Sequence, residues 1–500
     1  MIAKTFSASP FGYDGRLVEV EGDMNKGLPA FNIVGMANKT ISEARDRVRS
    51  ALLNSGFSFP DKKVTINLAP ADLLKDGSYL DLPIALTVML LSKQLLDRDV
   101  KDALFVGELS LTGALRPVHG IINIIESARS AGIKTIFLPE ANLAQASLVS
   151  DVNLFGVKNL KQLFLHLKGE AKIPSSQPVV ENNKTVVTGP LLDHIRGQAL
   201  AKRAISVAIA GHHNILISGP PGAGKTLLAR AAAHLLPPLS PAEMIAITKI
   251  HSLAGITDDV VASRPFRAPH HTASPVSIIG GGSKTTPGEI SLAHLGVLFL
   301  DEIPEFPRSV LESLRQPLED KTISISRANS KTTYPADFML IATMNPCPCG
   351  FLGDPTHECS CSQTQIQAYS KKLSGPLFDR IDMNLEVKKV DNSDLRRTAP
   401  SGSQEHDVVK KKITDAIARQ RARFGRDDVY NSALTSHQIN SLLKLTKQAE
   451  ALLQSASERL YLSARSYFKT IKVAQTIADL DGADVIEASH ISEALSFRKR

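Results

Sequence analysis

The chain of 500 residues has no tryptophan, 5% aromatic residues and only four cysteines. So few aromatic faces argue against a base-stacking platform, whose affinity is built on such faces. If nucleic acid binds, lysine and arginine contacts to its backbone are expected to dominate. Long apolar runs are missing too. The greasiest stretch, Leu82 to Leu91, is too short to span a bilayer and contains Pro83. Met1-Ile2-Ala3-Lys4 leads into polar sequence rather than an apolar signal core, so a cytoplasmic protein without a membrane partner is expected.

What is present is ordinary for a globular protein: 43% hydrophobic and 22% charged residues. The length predicts about three domains. The net charge is +8, and residues 396–500 carry 18 Lys+Arg against 12 Asp+Glu. Such a surplus suits a phosphate polymer as partner, and equally a solvated helical surface.

Three blocks are expected. Residues 1–168 mix strands and helices: "RLVEVEGD" alternates as a half-buried strand does, and "KVTINLAP" is a second strand. In "ISEARDRVRSALLNSG", Ile41, Ala44, Val48, Ala51 and Leu52 share one helical face. Residues 169–190 read as a polar linker. Residues 191–390 alternate strands and helices, which predicts an α/β core on a parallel sheet. A second linker, 391–405, leads to an all-helical block, 406–500, with Ser436 and Ser489 as expected N-caps.

The densest chemistry lies in "NILISGPPGAGKTLLARAAAHLL". An apolar strand meets Gly219-Pro220-Pro221-Gly222-Ala223-Gly224-Lys225-Thr226, and an apolar helix follows, the context a phosphate-binding P-loop requires. Its backbone amides and the helix N-terminus suit the phosphates of ATP, with Lys225 on the β/γ-phosphates and Thr226 on Mg²⁺. "GVLFLDE" predicts a second buried strand ending in Asp301, a metal ligand, and Glu302, which polarises the attacking water. Two adjacent carboxylates are costly to bury without a cation. "FMLIATMNP" ends in Asn345, an amide placed to orient that water, although a turn asparagine before Pro346 reads the same way.

With "GPLFDRID" and "SARSYFKTIKVA" the chain resembles the AAA+ ATPases of the magnesium-chelatase and MCM-helicase branch. The wording of "RPFRAPHHTASPVSIIGGG", "PGEISLAHLGVLFLDEIPEF" and "LESLRQPLEDKTISISRA" is closer still to the YifB/ComM family of bacterial Mg-chelatase-like proteins. The resemblance covers essentially the whole chain. It implies an AAA+ P-loop α/β core, a C-terminal helical lid and a homo-hexameric ring. It also implies Arg380 as an arginine finger acting on the next subunit, and Arg465 as the sensor-2 arginine. The activity implied is an ATP-driven helicase for branch migration of recombination intermediates in natural transformation. A protein-remodelling ring of the chelatase ATPase type is the alternative.

The N-terminal block resembles the Lon-protease (S5-like) α+β fold through "GELSLTGALRPVHGIINIIESARSAGIKTIFLPEAN". Lon chemistry needs a serine activated by a lysine. Here the aligned positions hold Tyr79, one residue after Ser78, and Ile122, so the block is expected to keep the fold without peptidase chemistry.

All four cysteines fall in "CPCGFLGDPTHECSC", as Cys347, Cys349, Cys359 and Cys361. In a reducing compartment a metal or free thiols remain, and four thiolates suit structural Zn²⁺, with His357 as a substitute ligand. The C-x-C pairs are tighter than the usual zinc spacing. For DNA, "KTISISRANSKTTYPADF" predicts a hairpin turning at Asn329-Ser330, whose Arg327 and Lys331 reach phosphates or are merely solvated. Arg264 and Arg267 of "RPFRAPHHT" are further DNA candidates, beside His270 and His271.

Overall fold

The computed structural model of the chain describes residues 2–35, 39–71, 78–176, 189–257, 259–282, 285–327, 330–354, 357–389 and 404–498, with the side chains of 39–42, 327 and 330 outside that description. The N-terminal part is built on a seven-stranded sheet in the order Ala30–Val34, Lys63–Ala69, Asp14–Asn25, Ile2–Phe11, Ala103–Phe105, Thr135–Pro139 and Asn153–Val157. The strand Asp14–Asn25 alternates as its sequence does, sending Val18 and Val20 into the core. On Lys39–Asn54 the face of Ala44, Val48, Ala51 and Leu52 is buried, while the Ile41 side chain lies outside the described residues. The helix Asp81–Leu91 is apolar almost all round, and every residue of it is buried, as a helix without a polar face must be. This core extends past the expected boundary at 168: Ile173 packs into it and the Ser176 amide donates to the Leu154 carbonyl at 2.9 Å.

The second part is an α/β core on a parallel sheet of five strands, in the order Phe266–Arg267, Val297–Leu300, Met339–Met344, Ile215–Ser218 and Met383–Glu386. Alternation along these strands builds two hydrophobic layers. Ile215, Ile217, Val297, Phe299, Met339 and Ile341 face the helices Ala199–Gly211 and Lys225–Ala233 and the C-terminal helices. Leu216, Leu298, Leu300, Leu340 and Ala342 face the layer that holds Ile323 and Ile325 of the hairpin. The C-terminal region is helical, with Glu405–Phe424, Lys447–Arg459, Ala464–Asp481 and Ala488–Ser496 as its longer helices. It shares a core with the sheet through Ile471, Ala474 and Ile477. Two N-caps differ from expectation. Thr435 caps the helix that begins at Ser436, because Gln438 returns the bond, and Glu487 rather than Ser489 precedes the last helix.

The two parts are docked. Lys249, on the helix Pro241–Leu253, pairs with Glu126 at 2.5 Å and stands 4.1 Å from the Tyr13 ring. The Gly120 amide donates to the Ser252 hydroxyl at 2.9 Å, and the Gln145 side chain donates to the Thr257 and Asp259 carbonyls. Gly12, in the turn of the first N-terminal hairpin, lies against Thr332 of the hairpin Thr322–Arg327/Ser330–Pro335. Among the described residues no helix is long and apolar enough to cross a membrane.

Candidate active site

The strand Ile215–Ser218 ends between Met344 and Glu386, so the loop after it opens at the carboxyl edge of the sheet, where ligands of open α/β sheets bind. Gly222 and Gly224 take φ of +78° and +84°, a left-handed path that residues with a Cβ resist. The helix Lys225–Ala233 starts directly behind and aims its N-terminus at the loop.

Lys225 is only 8% exposed. Its ammonium donates to the Gly219 and Pro220 carbonyls at 2.5 and 3.1 Å and to Asn345 Oδ1 at 3.0 Å. Burial holds its pKa below the ordinary lysine value, against the pull of Asp301 and Glu302. A desolvated cation held by carbonyl oxygens at the mouth of an open loop fits a phosphate as its stronger partner. The Thr226 hydroxyl donates to Asp301 Oδ2 at 3.1 Å, which brings together one hydroxyl and one carboxylate suited to Mg²⁺. Glu302 stands next to Asp301 with φ of +52°, and its side chain reaches Asn345 Nδ2 at 3.3 Å. The two carboxylates are not buried together as their adjacency suggested: Asp301 is half-buried and Glu302 exposed. Lys225, Thr226, Asp301, Glu302 and Asn345 are thus gathered at one edge.

Thr343 was not anticipated. It is fully buried, its hydroxyl donates to Asp301 Oδ1 at 2.5 Å, and it accepts from the Glu302 amide at 2.9 Å. It fixes both acids relative to the Asn345 strand. The one signal in the sequence is a hydroxyl inside the otherwise apolar "MLIATM".

Arg380 and Arg465 lie elsewhere. Arg380 precedes the strand Met383–Glu386, whose Met383 pairs with Ile215. Its carbonyl accepts from Asn214 Nδ2 at 3.1 Å. The whole four-residue strand Ile215–Ser218, about 13 Å at the usual rise, separates it from the P-loop of its own chain. Both guanidinium groups meet one carboxylate, Glu319, Arg380 at 2.7 Å and Arg465 at 3.1 Å. The Arg380 contact is the main reason Glu319 sits below the usual carboxylate range. Around them a cavity of about 390 Å³ also holds Lys321, Lys469 and Lys472. Within the chain this cluster stands at the amino edge of the sheet, opposite the P-loop.

The DNA candidates divide. The Arg264 side chain is 7% exposed and donates to the Pro237 and Leu295 carbonyls while pairing with Glu243 at 2.8 Å. Arg267 forks onto Glu289 at 2.6 and 2.7 Å. Both are internal ties of the fold, which corrects the expectation of phosphate contacts. His270 and His271 stack on each other with ring centroids 4.1 Å apart. The hairpin exists, and Arg327 pairs with Ser330, so Ser330 belongs to the second strand rather than to the expected turn; Asn329, the other residue of that turn, lies outside the described residues. Lys331 is exposed on its second strand; the Arg327 side chain lies outside the described residues.

The four cysteine Sγ atoms lie within 4.8 Å of one another. His357 is not among them: it stacks on Phe351 and faces Asp354, which corrects its expected place as a ligand. In the N-terminal layer Tyr79 is buried with its hydroxyl 2.6 Å from Ser9, and Ile122 is fully buried. The Ser78 hydroxyl donates to Glu108. With an alkyl group where Lon carries its base, incubation with casein, with or without ATP, should release no peptides. ATP-dependent release abolished by Ser78→Ala would contradict this.

Comparison with known proteins agrees with this geometry. The family described as "Magnesium chelatase, subunit ChlI" matches residues 191–395. "Subunit ChlI of Mg-chelatase" matches 20–142, and the ChlI C-terminal family matches 403–498. The competence protein ComM of Haemophilus influenzae is 42% identical over 99% of this chain and 97% of its own length. The protein YifB of Escherichia coli is 40% identical over 97% of this chain and 95% of its own. The magnesium-chelatase 67 kDa subunit of Chlorobaculum parvum is 26% identical over 30% of this chain and 21% of its own. Full-length identity of this order, together with chelatase-type matches in all three regions, shows that the chain belongs to the YifB/ComM family of magnesium-chelatase-like AAA+ proteins.

Proposed function

We propose that the protein is an ATP-hydrolysing motor, a hexameric ring whose subunits share each active site and which moves DNA, driving branch migration of recombination intermediates during natural transformation. One observation carries the shared-site reading: the P-loop constellation and the Arg380–Glu319–Arg465 cluster stand at opposite edges of one sheet. Repeated head-to-tail, that arrangement would bring the arginines of one subunit to the phosphates of the next, and a heterologous contact whose rotation closes makes a ring. Lys225 and the loop amides would hold the phosphates, and Thr226 and Asp301 would hold Mg²⁺, which would supply charge to offset theirs. Glu302, oriented through Asn345, positions the attacking water. Arg380 leaves Glu319 for the neighbour's γ-phosphate and stabilises the charge that develops there. Arg465 follows the same route. The four cysteines would hold a structural Zn²⁺.

DNA as substrate is supported by the name of the Haemophilus relative, a competence protein, by the charge of +8 and by the exposed hairpin with Lys331. The contacts expected are to phosphates, so affinity should fall by on the order of 10³-fold between low salt and about 200 mM salt, with little dependence on sequence. Lys331→Ala should weaken binding equally across sequences and flatten the salt slope by about one unit. Branch migration should suffer more than basal ATP turnover, because the P-loop is untouched. Assembled rings with neither salt-dependent DNA binding nor DNA-stimulated ATPase would sink this reading and favour a protein-remodelling ring.

A further inference from the structure

We infer that a thiophilic metal ion, zinc by the chemistry of its ligands, is held by Cys347, Cys349, Cys359 and Cys361 and clamps the P-loop, so that metal occupancy sets the affinity for ATP. This rests on the nucleotide reading of Lys225 and its neighbours given above.

Cys347 Sγ lies 3.3 Å from Cys349 Sγ and 3.7 Å from Cys359 Sγ, and Cys349 and Cys359 are 3.6 Å apart. Four sulfurs tetrahedral about zinc at about 2.3 Å stand about 3.8 Å from one another. The spacings among Cys347, Cys349 and Cys359 are close to that, and Cys361 Sγ lies within 4.8 Å of the other three. A disulfide brings two sulfurs to about 2 Å and leaves the others out; here all four converge. The Cys349 amide points at Cys361 Sγ, 3.4 Å away, the outer-shell contact expected around a metal-bound thiolate. Cys347 is fully buried, so the cluster is rooted in the core rather than hung on the surface.

The clamp is argued from what the cysteines flank. Asn345, two residues before Cys347, accepts from Lys225 and donates to Glu302. Gly350, next to Cys349, bonds back to the Cys347 carbonyl at 3.0 Å and stands directly on the P-loop. A Cβ at Gly350 would lie 2.8 Å from Pro221 Cγ and Cδ, and φ there is +84°. After Cys361 the helix Gln363–Lys371 begins with its Ser362–Gln365 capping box, and its buried Tyr369 meets the Asn345 backbone. The first cysteine pair thus presses on the loop, and the second anchors the helix behind the water-orienting amide. Closing so long a loop costs entropy that metal binding offsets, because metal-binding free energy is also local folding free energy. A staple with purely local effect would lack the Gly350–Pro221 contact.

The test uses the full-length protein purified without chelators. Elemental analysis should find about one zinc per chain. Affinity for a fluorescent ATP analogue should fall at least about tenfold on metal depletion and return when zinc chloride is added back. Gly350→Ala should keep its metal and lose affinity. Gly353→Ala should keep both, since its φ of +77° is equally left-handed but nothing lies within 4 Å of its Cβ. Protein that neither contains nor takes up metal would overturn the site. Metal-depleted protein and Gly350→Ala that both bind the analogue as wild type does would overturn the clamp. Zinc-loaded wild type that binds no analogue would instead remove the nucleotide reading, and the clamp with it, while leaving the metal site standing.

Discussion

Lys225→Ala should abolish ATP hydrolysis by loosening the nucleotide, whereas Glu302→Gln should abolish it with the nucleotide still held. The difference follows from placement. Lys225 is buried in the loop and donates to carbonyl and amide oxygens, so its removal takes away the cation that the loop itself offers to a phosphate. Removing a preorganised charged donor of this kind costs on the order of 10²–10³-fold in rate, besides the lost binding. Glu302 is exposed beyond Asp301 and touches the Asn345 amide, not the loop. A glutamine there keeps the size and the contact to Asn345 but cannot draw a proton from water. Titration calorimetry with ATP and a turnover assay separate the two: weak binding and no turnover for Lys225→Ala, normal binding and no turnover for Glu302→Gln. Normal turnover in Glu302→Gln would remove that residue from its role.

The nucleotide edge was legible because its grammar is local. The P-loop, its strand and its helix occupy one continuous run, and Asp301 and Asn345 each end a short apolar strand. Thr343 escaped because a threonine inside a strand is ordinary, and only the sheet brings it under Asp301. Arg264 and Arg267 show the limit of reading charge from a sequence. They stand in the same segment as exposed His270, yet Glu243 and Glu289, more than twenty residues away, turn both inward. Glu319 was invisible for the same reason, since its two arginines lie 61 and 146 residues downstream. Which edge Arg380 occupies depends on the register of Met383 against Ile215, and no spacing within the chain reports that.

That register makes the largest claim of the account testable. Arg380→Ala should assemble and bind ATP yet lose on the order of 10³-fold or more in turnover, the usual contribution of an arginine finger. The loss should be curable from outside the subunit. In a ring mixed from Arg380→Ala and Lys225→Ala chains, some interfaces pair an intact Lys225 with an intact neighbouring Arg380. At equal random mixing about a quarter of the interfaces are restored in this way. The decisive measurement is therefore the ATP turnover of such mixed rings, with mixing verified by mass measurement of the assemblies. Recovery to a substantial fraction of wild-type activity, from two proteins each inactive alone, is the result predicted. Mixed rings that form and stay inactive at every ratio would contradict the shared active site.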